Sequence, residues 1–284
     1  MSTDPSPHAS PSGTPTVPER LLQLLDRLGA VLAARGDAIA LLGLGSVGRD
    51  LHRLDEHSDA DFFVVVDEGA ETAYLGDIDW LEATAPVAWS FVNSPHGRKA
   101  LFEDGLFAEY AVFTLTELAG ASYPPARAIW CRGDAPVGLE EPAVPLPVAP
   151  SLEEQVGEAV TNLYVGLHRD LRGERLTATR FIQGYAVDRV VTVLGLLGLG
   201  DGGQQDPFVV ERGVERRFPA SVLPLGDLVL GYEGNGRAAL ALLDVLERHV
   251  AVHPAMASAV RELGARSVAA AEQRASAGQS SSRT

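Results

Sequence analysis

Apolar residues recur along this chain with two different periods, and the change of period divides it. From Pro18 the positions Leu21, Leu22, Leu25, Leu28 and Leu32 fall on one helical stripe that ends near Gly36. Short apolar runs of strand length follow: Ala38 to Leu42, Asp61 to Val66, Val87 to Val92 and Arg127 to Arg132. Lys99 to Glu103 and Leu106 to Thr114 read as a hairpin turning at Asp104-Gly105, a dipeptide suited to a type I′ turn. Helices are expected between these strands at 77–85 and 116–121. Beyond Pro150 the strand pattern stops. Ser151 and Glu154 form a capping box that opens a helix to Leu171, and further helices are expected over 175–198, 219–231, 235–250 and 254–274.

The pattern predicts an α+β protein. A domain at 18–137 has a mixed sheet flanked by helices, and an all-helical domain follows at 151–274. Residues 138–150 hold four prolines and read as the linker between them. The Ser/Pro/Thr-rich stretch 1–17 and the Ser-rich stretch 275–284 read as disordered tails.

Charge narrows the partners. The chain carries 38 acidic against 23 Lys and Arg residues, a formal net charge of −15. No Lys/Arg cluster stands out, and Lys99 is the one lysine. Proteins that grip a nucleic-acid backbone show a basic face, so a long nucleic-acid substrate is disfavoured. A small neutral or cationic acceptor suits this field better. The single cysteine, Cys131, excludes an internal disulfide and is expected to pack in a buried strand. No signal-peptide pattern opens the sequence, and the apolar run from Val190 to Leu199 is too short to span a membrane. A cytoplasmic protein without a membrane partner is expected. The tryptophans Trp80, Trp89 and Trp130 are all expected in the core.

The chemistry concentrates in two places. Gly43-Leu44-Gly45-Ser46 forms a Gly-Ser turn after a strand, and Ser58-Asp59-Ala60-Asp61 opens the next one. Alternate residues of a strand share a face, so Asp59 and Asp61 would project together and repel. A divalent cation resolves that repulsion, and Mg²⁺ favours one or two carboxylates together with phosphate oxygens. Glu109 lies among Phe107, Ala111 and Phe113 on an otherwise apolar strand face. A carboxylate there needs a compensating partner, and it is the candidate third acid of a metal site. Arg49, just after the turn, and Arg180, in the second domain, are candidate phosphate contacts. Ser58 is counted with them as a nucleotide-binding position.

A competing pattern overlaps the turn. Gly43 to Gly48 also satisfies G-x-G-x-x-G, with Asp67 placed where a ribose-binding acid would lie. Against a dinucleotide fold stand the short polar segment after Gly48, the acidic pair, and the absence of further strand–helix–strand units in the second half.

Gly45-Ser46, then Ser58-Asp59-Ala60-Asp61 running into an apolar strand, then an acid on a later strand, resembles the polymerase-beta-like nucleotidyltransferase superfamily. The stretch Phe102 to Phe113 and the helical segment around Leu171-Arg172-Gly173-Glu174 extend that resemblance to the lincosamide and aminoglycoside nucleotidyltransferases, over roughly residues 20–250. The resemblance implies that Asp59 and Asp61 hold Mg²⁺, as two ions with Glu109 touching the second. It also implies that Gly45, Ser46 and the turn amides bind the terminal phosphates, and that Glu109 is the general base. The implied reaction moves a nucleoside monophosphate, AMP first among them, from an NTP to a hydroxyl of a small molecule and releases pyrophosphate. Two alternatives stay open: nucleotidylation of a protein, as in regulatory or toxin–antitoxin systems, and a non-catalytic nucleotide-binding module. The apolar C-terminal helices would suit a homodimer.

Overall fold

The computed structural model describes residues 15–145, 150–201, 206 and 208–281. Most of the N-terminal stretch expected to be a tail, and the last three residues of the C-terminal one, lie outside these. The chain forms two compact units, Met1–Leu146 and Pro147–Thr284.

The first unit opens with the helix Val17–Arg35. Thr16 and Glu19 cap it reciprocally, the Thr16 amide donating to Glu19 Oε2 at 2.7 Å. Its buried stripe is Leu21, Leu24, Leu25, Leu28 and Leu32. Leu24 takes the place expected for Leu22, because i, i+3, i+4, i+7 spacing from Leu21 passes through it. The helix ends at Gly36, whose φ of 77° terminates it in the left-handed conformation.

Six strands follow: β1 (Ala38–Gly43), β2 (Ala60–Val66), β3 (Val87–Val92), β4 (Gly97–Phe102), β5 (Phe107–Thr114) and β6 (Arg127–Cys131). They form one mixed sheet in the order β3-β4-β5-β2-β1-β6. Only β2 and β5 run parallel; every other neighbouring pair is antiparallel. One face of the sheet packs on the first helix through Phe62, Val64, Ala100, Phe102, Tyr110 and Val112. On the other, Phe63 and Phe113 pack with Leu118 and Tyr123. The exposure pattern of β5 alternates residue by residue, as a strand between two layers requires.

The β4–β5 turn departs from expectation. Asp104 does not have a positive φ, so the type I′ turn is not formed. The amide of Gly105 (φ 87°) donates to the Phe102 carbonyl at 3.0 Å, and that of Phe102 to the Leu106 carbonyl at 2.9 Å. This is a three-residue loop closed by a left-handed glycine. Two further expectations fail on exposure. Cys131 is exposed on the edge strand β6. Trp89, on the opposite edge strand, is 50% exposed, whereas Trp80 is buried. Residues 138–141, expected to begin the linker, belong to this unit: Leu139 and Glu141 carbonyls accept from the Tyr123 hydroxyl, and the Glu140 carbonyl from the Ala126 amide.

The described strands all lie in the first unit, and the described elements of the second are helical. Its main helices are Leu152–Leu171, a continuous 175–196 stretch, Asn235–His249 and Pro254–Ser281. The last includes residues 275–281, which were expected to be part of a tail. The helix expected over 219–231 is reduced to Leu225–Leu228, since Pro219 and Pro224 interrupt it. Buried Asp170, Asn235 and Ser267 share a hydrogen-bond network in this unit's core.

Candidate active site

The site is built where β1 leaves the sheet and β2 re-enters it. After Gly43 the chain makes a single 3-10 turn, Gly45–Val47. Gly45 has a φ of 50°, which favours glycine. Gly43 and Gly48 pack back to back: a Cβ on Gly48 would meet the Gly43 carbonyl oxygen at 2.7 Å. The glycine pattern therefore serves a tight turn, and no helix long enough for a dinucleotide motif follows it. Strands β1 and β2 are antiparallel, which a strand–helix–strand unit forbids. Asp67, the ribose-binding candidate of that alternative, is held by Arg132 in a bidentate pair at 2.9 and 3.0 Å.

Within the turn, the amides of Val47 and Gly48 donate to the Leu44 and Gly45 carbonyls, and the Leu44 amide donates to the Asp61 carbonyl at 2.8 Å. The Gly45 and Ser46 amides and the Ser46 hydroxyl find no hydrogen-bond partner among the described residues. Two adjacent N–H groups with a hydroxyl beside them can receive an anion. The turn is tied to the start of β2, and a Cβ on Gly45 would lie 3.8 Å from Asp61 Oδ2.

Strand register assembles the rest. In the parallel β2–β5 pair Asp61 is opposite Glu109, and in the antiparallel β4–β5 pair Glu109 is opposite Lys99. Three residues from three strands thus share one row on one face. Glu109 lies on a strand with neighbours on both sides, not on an edge. Its compensating partner is Lys99, whose Nζ is 2.6 Å from Oε2, while Asn93 Nδ2 donates to Oε1 at 3.3 Å. The Lys99 ammonium is pushed above the ordinary lysine value, first by its hydrogen bond to Glu109 and further by the charges of Asp61 and Asp59. Both aspartates therefore lie within electrostatic reach of it. Asp59 sits just ahead of β2, whose first residue is Ala60.

These facts bear on the fit of Mg²⁺. Asp61 lies beside the Gly45 turn and Asp59 two residues before it, and two carboxylates so spaced suit a cation that is shared with phosphate oxygens. Glu109 is paired with Lys99 and Asn93 and is not gathered with the two aspartates into a three-acid cluster among the described residues. Among the described residues no group of three or more His, Cys, Asp or Glu side chains is gathered for a metal. Each carboxylate oxygen accepts two hydrogen bonds, so Glu109 keeps capacity for a substrate hydroxyl.

Other candidate residues are placed differently from the sequence expectation. Arg49 donates to the Ala126 carbonyl at 2.8 Å and pairs with Glu141, so its guanidinium clamps the loop after the turn. Ser58 is bound up with Asp55, its hydroxyl 3.0 Å from the Asp55 amide, in the bend that precedes β2. Arg180 belongs to the second unit, where it lines a cavity of about 690 Å³ with Gln183, Tyr185, Asp188 and Glu211. Burial raises the Asp188 carboxyl above the ordinary aspartate value, and Glu211 adds to it.

Sequence reasoning missed Asn93, the role of Lys99, and Arg127. Arg127, opposite Gly43 on β6, donates to the Val47 carbonyl at 2.7 and 3.1 Å and to the Gly48 carbonyl at 3.2 Å. It holds the carbonyls of Val47 and Gly48 at the back of the turn.

No family model and no curated protein matches the chain. Among solved structures it is similar to the crystal structure of an aminoglycoside 6-adenyltransferase from Bacillus subtilis. The identity is 12% and the TM-score 0.32, over 86% of this chain and 91% of that one. A likeness of that depth carries no argument, and the case for function rests on the chain's own geometry. No described helix is long and apolar enough to cross a membrane.

Proposed function

We propose that this chain is a nucleotidyltransferase that moves a nucleoside monophosphate from an NTP, ATP first among them, to a hydroxyl of a small molecule. The observation that supports this most is the row of Asp61 and Glu109 on adjacent parallel strands, with the left-handed Gly45 turn beside Asp61. The turn offers its amides and the Ser46 hydroxyl to the β- and γ-phosphate oxygens. Asp59 and Asp61 would hold Mg²⁺, which neutralises charge on the triphosphate and the leaving pyrophosphate.

Glu109 takes the proton of the acceptor hydroxyl. The acceptor oxygen then forms its bond to the α-phosphorus as the bond from that phosphorus to the bridging oxygen of pyrophosphate breaks. Lys99 and Asn93 fix the rotamer of Glu109, so the base is oriented before substrate arrives.

Incubation with each NTP, Mg²⁺ and a panel of hydroxyl-bearing acceptors, lincosamides and aminoglycosides included, tests this by mass spectrometry and pyrophosphate release. A mass gain of one nucleotide on an acceptor is expected. No nucleotidylated product and no pyrophosphate across the panel would overturn the reading.

A further inference from the structure

The row that holds Asp61, Glu109 and Lys99 does not end at Lys99. In the antiparallel β3–β4 pair Phe91 is opposite Lys99 and Trp89 is opposite Leu101, and Leu101 is in turn opposite Phe107 on β5. Residues directly opposite one another in a sheet share a face. Phe91 therefore continues the carboxylate row, and Trp89 and Leu101 lie in the next row on the same face. All three are exposed: Trp89 by 50%, Phe91 by 43% and Leu101 by 38%. The Trp89 and Phe91 rings touch, with centroids 5.0 Å apart and planes at 44°. The reverse face of β4 buries Ala100 and Phe102 in the core, while β3, the edge strand that carries both rings, buries none of its residues.

We infer that Trp89, Phe91 and Leu101 form the acceptor-binding shelf of this site, an assignment that rests on the proposed transferase reading. Neighbouring strands are about 4.8 Å apart, so Phe91 lies about 10 Å across the sheet from Glu109. That is the span of a small molecule of two rings. Lys99 between them is neutralised by Glu109, which leaves the path across the shelf without a free charge. The chemistry that fits is a small molecule with a flat or carbon-rich ring and a hydroxyl about 10 Å from it. Its ring lies on Trp89 and Phe91, and its hydroxyl reaches Glu109. Two touching exposed aromatics beside a carboxylate row serve that occupant, because ring stacking is strong there and imposes little on the rest of the ligand.

Saturation-transfer NMR on the full chain tests the shelf directly, with phenyl β-D-glucopyranoside as probe and methyl β-D-glucopyranoside as the control that lacks the aromatic ring. Strong transfer to the phenyl protons is expected, with little to the control. In Trp89→Ala/Phe91→Ala the probe should bind about tenfold more weakly. Leu101→Ala should give a smaller loss, and circular dichroism should match wild type in both. Equal binding by wild type and the double variant, or equal binding of the two glucosides, would overturn the shelf. So would a dimer in sedimentation velocity that dissociates in the double variant while probe binding is unchanged, since the rings would then face a second copy of the chain. Mg·ATP binding measured on the same samples separates the two readings. Probe binding without Mg·ATP binding in wild type sinks the transferase reading alone, and Mg·ATP binding without ring-dependent probe binding sinks the shelf alone.

Discussion

Arg127→Met removes the three hydrogen bonds that hold the back of the Gly45–Val47 turn, and the structure sets the size of the effect. Its Nε and Nη2 donate to the Val47 carbonyl at 3.1 and 2.7 Å, and Nε is shared with the Gly48 carbonyl at 3.2 Å. Val47 and Gly48 are buried, and methionine has the volume to keep water out but no donor. A buried carbonyl that loses its partner costs about 1–3 kcal/mol. Arg127 is itself only partly buried, so the pair should cost about 2–4 kcal/mol. For a unit of this size each kcal/mol lowers the melting temperature by about 3 °C, which gives a fall of about 6–12 °C. The assay can be confined to the right unit, because the three tryptophans, Trp80, Trp89 and Trp130, all lie in it. Tryptophan fluorescence on heating therefore reads the unit that holds the turn. Arg127→Lys, with one donor group in place of the fork, should fall between the two. A drop smaller than about 2 °C in Arg127→Met would refute the buttressing argument.

Gly48→Ala should destabilise the same unit by about 1–3 kcal/mol, since its Cβ would sit 2.7 Å from the Gly43 oxygen and 2.8 Å from Leu44 Cα. An unchanged denaturation midpoint by tryptophan fluorescence would contradict the contact. Asp67 is held below the ordinary carboxylate value by its hydrogen bonds from Arg132, so its stabilisation is present above that value, 3.8, and lost as pH falls through the lower folded value. Wild type should therefore melt higher than Asp67→Asn at pH 7, and the gap should close in acid; a gap that persists undiminished below about pH 3 would count against this. In the second unit, Asn235→Leu withdraws the Nδ2 donor from Asp170 at 2.9 Å and the acceptor that serves Gln183 at 2.7 Å. A loss of about 3–4 kcal/mol is expected in chemical denaturation followed by far-ultraviolet circular dichroism, and a loss under about 1 kcal/mol would contradict it.

How much of this could be read beforehand depended on whether the information was local. The α+β class and the Gly-Ser turn were legible because period and spacing encode them within a few residues. Glu109 was legible as an acid on an apolar strand face. Its partner was not, and the reason is one residue of turn geometry. A two-residue Asp104-Gly105 turn would set Ala100 opposite Glu109. The observed three-residue loop through Gly105 sets Lys99 there instead. Trp89 was placed in the core with the other tryptophans on residue type alone, and only its position on the edge strand β3 shows it exposed. The parallel β2–β5 pairing joins segments almost fifty residues apart, and no local pattern specifies which residues face each other. Arg49 and Arg127 show a related limit: both are arginines near the turn, but only the fold decides that they hold backbone carbonyls.

The central claim is that the Gly45–Ser46 turn and the Asp59/Asp61 pair form one metal-dependent triphosphate site. Calorimetric titration of the full chain with ATP, with Mg²⁺ and with EDTA, tests it without reference to any acceptor. Wild type should bind ATP only with Mg²⁺, and Asp61→Asn should weaken that binding at least tenfold, a loss of about 1.4 kcal/mol, with its melting curve unchanged. ATP affinity that is the same in EDTA, or the same in Asp61→Asn, would contradict the claim.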